Sequence, residues 1–213
     1  MTKEKVRKRI LEVGIVPVIR AASAELALAA SNAVAEGGIP IVEVTLTVPG
    51  AVEVIRELRR SAPQLLIGAG TVLNPEAAQQ CLDAGAQFLV SPGFKRATVE
   101  LAGEHDILMM AGSLTPTEVI EAWEAGSDFV KIFPCGNVGG PSYIKSLKAA
   151  LPQIPMIPTG GVNLATARAF LDAGASALGI GGELVSAAAL QSGDFAQITA
   201  TARQFVEIMQ AHN

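Results

Sequence analysis

A single (β/α)8 barrel, the TIM barrel, is the fold that the 213-residue sequence predicts, and three features predict it. Eight short apolar segments rich in Val and Ile alternate with longer helical patterns, as parallel strands buried on both faces would. A helix-stop signature also recurs. Asp83-Ala84-Gly85-Ala86, Glu124-Ala125-Gly126-Ser127 and Asp172-Ala173-Gly174-Ala175 repeat it, with a looser copy at Glu36-Gly37-Gly38, each about a helix-strand unit or more from the next. Finally, half of the residues are hydrophobic and 17% are charged, which suits one large core without a linker over residues 1–213. A doubly wound open sheet is the alternative, but the turn Arg20-Ala21-Ala22-Ser23 lacks a glycine-rich dinucleotide fingerprint.

The elements follow in order. A short charged amphipathic helix with Val6, Ile10 and Leu11 as its apolar stripe precedes the first strand, Ile15 to Ile19, which Arg20 closes. Ser23 caps a helix from Ala24 to Glu36 that stops at Gly37-Gly38. In the second strand, Ile41 to Leu46, alternation puts Val42, Val44 and Leu46 on one face and Ile41, Glu43 and Thr45 on the other. Ala51 to Arg60 is helical. The third strand, Leu65 to Ile67, ends in Gly68-Ala69-Gly70-Thr71, and Asn74-Pro75 opens a helix stopping at Gly85.

Phe88 to Val90 is the fourth strand, ending in Ser91-Pro92-Gly93, and a helix runs from Ala97 to Glu104. After the fifth strand, Ile107 to Met110, the capping box Thr115-Pro116-Thr117-Glu118 starts a helix that stops at Gly126. The sixth strand lies within Asp128 to Pro134, and Gly139-Gly140-Pro141 leads into a helix from Ser142 to Ala150. Met156-Ile157-Pro158 is the seventh strand, ending in Thr159-Gly160-Gly161-Val162; Asn163 caps the helix that stops at Gly174. The eighth strand, Ala177 to Ile180, ends in Gly181-Gly182, and a last helix from Asp194 to Met209 carries Phe195, Ile198, Ala202, Phe205 and Met209 on one side.

Composition excludes several functions. A net charge of -4, a pI near 5.3 and few aromatic residues leave no footprint for nucleic acid. No stretch approaches the roughly 18 uninterrupted apolar residues of a membrane span. Cys81 and Cys135 lie far apart without metal spacing, and two histidines cannot build a site alone, so no metal, no organic cofactor and a reduced, cytoplasmic protein are expected.

One charge breaks an apolar strand. Phe129, Lys131 and Phe133 share a face, which seats Lys131 between two phenyl rings. Either the lysine snorkels to water, or it is buried, where desolvation disfavours an ammonium ion and leaves an amine able to form a Schiff base. In a barrel, reactive groups sit near the carboxyl ends of the strands and inward layers come from alternate strands, so Glu43 and Lys131 are predicted to meet across the axis. They are then a structural ion pair or an acid/base couple serving an imine.

Gly160-Gly161 and Gly181-Gly182 stand where barrels bind phosphate through backbone amides. Thr71, Pro92 and Thr159 end strands, offering two hydroxyls and a rigid wall. Arg20 offers a fork of donors for a carboxylate or phosphate, or is a surface cation. Cys135, Trp123 and Tyr143 read as packing.

At this point the sequence resembles a known family. Val42-Glu43-Val44-Thr45, Gly68-Ala69-Gly70-Thr71-Val72-Leu73-Asn74-Pro75, Ser91-Pro92-Gly93, Phe129-Val130-Lys131-Ile132-Phe133-Pro134 and Pro158-Thr159-Gly160-Gly161-Val162 are similar to blocks of the class I 2-keto-3-deoxy-6-phosphogluconate (KDPG) aldolases. The resemblance runs from Val16 to Val185. It implies metal-free cleavage of KDPG to pyruvate and glyceraldehyde 3-phosphate, usually in a homotrimer; some members split 4-hydroxy-2-oxoglutarate.

By position, Lys131 resembles the Schiff-base lysine, Glu43 the general acid/base, and Thr71 and Thr159 residues near pyruvate, while Pro92, Phe133 and the glycine pairs line the pocket. Arg20 resembles an arginine that some branches carry on the first strand. Two departures stand out. Thr47 replaces an arginine found after the glutamate strand in another branch, and Gly181-Gly182 replaces a Gly-Ser ending, putting Glu183 beside the site, where it is expected to face away from an anion. A phosphosugar isomerase or synthase on the same barrel and a non-catalytic oligomeric scaffold are the competing readings.

Overall fold

The computed structural model describes residues 1–212. Its strands are β1 (Ile15–Ile19), β2 (Ile41–Thr45), β3 (Leu66–Gly70), β4 (Phe88–Val90), β5 (Leu108–Ser113), β6 (Phe129–Ile132), β7 (Met156–Pro158) and β8 (Leu178–Ile180). All pair in parallel, in the order β7-β6-β5-β4-β3-β2-β1-β8. A bridge between Thr159 and Gly179 joins the two outer strands, closing the barrel beside the predicted site.

The helices are α1 (Lys3–Val13), α2 (Ala24–Glu36), α3 (Ala51–Ser61), α4 (Pro75–Asp83), α5 (Arg96–Glu104), α6 (Pro116–Glu124), α7 (Pro141–Ala150), α8 (Ala167–Asp172), α9 (Ala187–Ser192) and α10 (Phe195–Gln210). Their starts follow local chemistry. Ser23 and Asn74 each accept a first-turn amide, and Thr115 and Glu118 form the reciprocal capping box. The repeated stop signature is a repeated backbone state: Gly38, Gly85, Gly126 and Gly174 adopt φ of 96°, 96°, 99° and 96°. A side chain there would be strained, which is why glycine marks each return to the barrel.

Alternation along the strands divides the core in two. Outward residues such as Ile19, Val44, Ile67 and Val130 pack under the helices, whereas Val16, Ile41, Leu66, Phe88, Met110 and Phe129 fill the lower barrel. Helix α1 completes that plug from below with Val6 and Ile10. It is fastened by Lys3, 3.0 Å from Asp128, and by Arg7, 5.7 Å from the Phe129 ring centre.

Several boundaries differ from the sequence reading. Strand β3 starts at Leu66 and continues through Gly70 because inward Gly68 leaves room for Phe88, whose ring would lie 2.2 Å from a β-carbon there. Strand β5 likewise extends to Ser113, pairing Gly112 with Lys131. Asn163 does not cap α8. Its side-chain oxygen accepts from the amides of Ala165 and Thr166, holding a turn ahead of the helix. Helix α9, unforeseen, is capped by Ser186, which accepts from the Ala189 amide.

Candidate active site

The site is built at the carboxyl ends of the strands. Glu43 from β2 and Lys131 from β6 both face inward and are buried, at 2% and 4% exposure, so the lysine does not snorkel to water. Their charged ends meet: Nζ lies 3.5 Å from Oε1. That oxygen has no hydrogen-bond partner among the described residues. An unpaired buried carboxylate oxygen is energetically costly, and here it faces a primary amine, so a water or a substrate hydroxyl entering between them would find both a donor and an acceptor.

The surroundings of Lys131 differ in one respect from the reading of two flanking rings. Nζ lies 5.6 Å from the centre of the Phe133 ring, a cation–π distance. Phe129 faces the same way but one step lower, in the apolar plug, where Arg7 covers it. Same-face residues on a strand are about 6.6 Å apart, which puts the two rings in different layers.

Glycines in and at the ends of the strands make this geometry possible. A β-carbon on Gly70 would fall 2.0 Å from Glu43 Oε1, and one on Gly179 would fall 2.1 Å from the Thr159 hydroxyl. Neither side chain could keep its place beside even an alanine. Gly112, paired with Lys131, takes the Pro92 backbone against itself, for a β-carbon there would lie 2.2 Å from the Pro92 carbonyl carbon. The predicted wall residue is thus positioned through the lysine's own strand neighbour.

Thr71 follows Gly70 at the rim and has φ of 58°, a strained conformation for a β-branched residue. Thr159, Phe133, Gly160, Gly161, Gly181, Gly182 and Arg20 line one cavity of about 190 Å³. The amides of Cys135 and Gly136 donate to Thr159 and Gly160, locking the loop after β6 against the loop after β7. Gly160 and Gly161 have φ of 86° and 79°, conformations that favour glycine.

Glu183 lies beside the glycine pair, as its place in the sequence requires. The residue borders this same cavity. In the turn after β8 the amides of Leu184 and Val185 both donate to the Gly181 carbonyl and leave Glu183 exposed at the apex.

The residues read as packing are buried or half-buried. Burial pushes the Cys81 and Cys135 thiols up to about 11 and about 12. Tyr143 also has a polar task, because its hydroxyl donates to the Leu114 carbonyl and ties α7 to the loop before α6. Among the described residues, no group of three or more His, Cys, Asp or Glu side chains is arranged to hold a metal, and no helix is long and apolar enough to cross a membrane.

A closed α/β barrel whose mouth brings one buried lysine against one buried carboxylate, ringed by glycine turns, has the parts that an imine-forming lyase of the aldolase class requires. Comparison with known proteins specifies which. The family model "KDPG and KHG aldolase" matches residues 6–201. The KHG/KDPG aldolase of Escherichia coli strain K12 is 38% identical over 194 residues, covering 91% of each chain. The 2-dehydro-3-deoxy-phosphogluconate aldolase of Treponema pallidum is 36% identical, over 92% of this chain and 94% of that one. Among solved structures, KDPG aldolase from Legionella pneumophila, with pyruvate captured as a covalent carbinolamine, superposes with a TM-score of 0.86 at 30% identity, over 93% and 96% of the chains. The chain belongs to the KDPG and KHG aldolase family.

Proposed function

We propose that this aldolase cleaves 2-keto-3-deoxy-6-phosphogluconate, or a close 2-keto-3-deoxy sugar acid, to pyruvate and glyceraldehyde 3-phosphate through an imine on Lys131. The observation that carries this reading is the 3.5 Å approach of Nζ to an otherwise unpartnered Glu43 oxygen at the mouth of the barrel. Lys131, as the free amine, adds to the C2 ketone, and loss of water gives a protonated imine. Glu43, acting directly or through a water, takes the proton of the C4 hydroxyl as the C3–C4 bond breaks. The bonding electrons pass into the enamine while the aldehyde departs. Protonation at C3 and attack of water on the imine then release pyruvate and restore the amine.

Thr71 and Thr159 supply hydroxyls for the pyruvate end, with Pro92 and Phe133 as walls. Arg20 holds a substrate anion, and the amides around Gly160, Gly161, Gly181 and Gly182 face the distal end of the sugar acid. The name of the E. coli relative also covers KHG. Cleavage of 4-hydroxy-2-oxoglutarate by the same steps is the second reading, favoured by an arginine in the distal cavity. We assign the protein to the cytoplasm on its two buried free cysteines, and to a homotrimer whose contacts would cover exposed Leu73, Ile120, Val138 and Leu164.

The test is pyruvate release from a panel of 2-keto-3-deoxy acids differing in phosphate and configuration. Turnover of the phosphorylated gluconate-derived acid well above the others is expected. No pyruvate from any member would refute the assignment.

A further inference from the structure

A second cavity, of about 390 Å³, opens beside the first at the same end of the barrel. Its size lies within the roughly 300–1,000 Å³ common for small-molecule sites. Its walls are apolar: Val18 from β1, Ala22 and Leu26 at the start of α2, and Val185, Ala187 and Leu190 in and before α9. Three polar side chains line it, Arg20, Thr47 and Gln191, and all are exposed.

Thr47 can only accept from a polar ligand. Its hydroxyl lies 2.7 Å from that of Thr45, and Thr45 gives its proton to the Ile19 carbonyl, so Thr47 must be the donor between them. Arg20 and Gly182 line both cavities. A β-carbon on Gly182 would meet nothing within 4 Å, so no side chain fills the space at the junction.

We infer that this second cavity is an acceptor subsite for the apolar tail of a 4-hydroxy-2-oxo acid, so that the enzyme joins pyruvate to aliphatic or aromatic aldehydes and cleaves the products. The inference rests on the reading of Lys131 as the pyruvate-tethering residue. Nζ of Lys131 lies 5.6 Å from the centre of the Phe133 ring, Phe133 and Thr159 line the first cavity, and Gly182 and Arg20 are shared with the second, so a chain anchored at Lys131 would pass there from polar to apolar walls. Beyond that point a phosphate or a polyhydroxylated tail would meet few partners besides Arg20, Thr47 and Gln191 among walls that are mostly apolar, whereas a hydrocarbon tail would leave water.

The reaction balances without a further reagent. C3 of the pyruvate enamine bonds to the aldehyde carbon and the aldehyde oxygen takes up one proton. Water then hydrolyses the imine, replacing the proton and the water lost when the enamine formed.

The experiment measures aldol addition of pyruvate to a series of straight-chain aldehydes from propanal to hexanal, with glyceraldehyde as the polar control. The expected kcat/KM rises by about fourfold per added methylene, the equivalent of burying one CH2, until the cavity is full. Ala22→Phe and Ala187→Phe, at exposed positions, should flatten the series and lower the hexanal-to-glyceraldehyde ratio at least tenfold. A flat series in the unaltered enzyme, or equal losses with hexanal and glyceraldehyde in both variants, would overturn the inference. Borohydride trapping of pyruvate, which needs no aldehyde, is run on the same samples. Trapping with a flat series overturns the apolar subsite alone, and absence of trapping overturns the aldolase mechanism with it.

Discussion

Glu43 Oε1 lies 3.5 Å from Lys131 Nζ, and a β-carbon on Gly70 would fall 2.0 Å from that same oxygen. Acid, amine and empty space are therefore parts of one arrangement. Lys131→Met should abolish turnover and pyruvate trapping by borohydride, which intact mass and peptide mapping would read. It should also destabilise the fold by up to about 3–5 kcal/mol, because the buried Glu43 oxygen loses the amine that faces it. Adding Glu43→Gln should recover most of that loss in urea unfolding without recovering activity. Labelling at Lys145 or Lys148 in place of Lys131 would refute the assignment.

Glu43→Gln alone should lower kcat by roughly 10² to 10⁴, the range for a lost general acid/base. Exchange of the C3 protons of pyruvate with deuterated water, followed by NMR, should slow in parallel. Exchange at the original rate would assign the proton transfer elsewhere.

Gly70→Ala tests positioning rather than chemistry. With Glu43 displaced, kcat should fall at least tenfold and its pH profile should shift, although no ionisable group has been changed. An equally active Gly70→Ala enzyme would mean that Glu43 need not hold its observed place.

Arg20 is exposed and forms no ion pair among the described residues. Arg20→Ala should therefore raise KM tenfold or more with little change in melting temperature, the pattern of lost uniform binding. A lower melting temperature at constant KM would make it a structural residue.

The two thiols give a pH prediction. Each is raised from 9.0, to about 11 for Cys81 and about 12 for Cys135, by burial that disfavours the thiolate. The raised values mean that the thiols contribute stability fully below pH 9.0, and that this is lost as pH rises through about 11 and about 12. At pH 8 an aromatic disulfide reagent should react with neither cysteine until the protein is unfolded. Rapid labelling of the folded protein would show that one is accessible.

Much of the fold was legible because it depends on period. Alternation along β2 and β6 decides that Glu43 and Lys131 face inward, and the barrel then brings them together. Depth was not legible: the same alternation puts Phe129 beside Lys131, yet along the axis it belongs to the layer plugged by α1. Nor was the role of Gly70 or Gly179, since a missing side chain has meaning only when its neighbour in space is known. Both looked like ordinary strand-end or strand residues. Helix α9 escaped because Ala187 to Ser192 is too short to show a helical period.

The plug under the barrel has a kinetic consequence. Val6 and Ile10 fill the lower end of the barrel and Lys3 is fastened to Asp128, so buried Lys131 is approached from the carboxyl ends of the strands. Two products of one cleavage must leave through the door by which the substrate entered. The one still bonded to the lysine lies deeper. In the proposed imine mechanism, the bond to Lys131 makes the aldehyde depart first and pyruvate second, and the plug of Val6 and Ile10 adds that both pass the same loops after β6, β7 and β8.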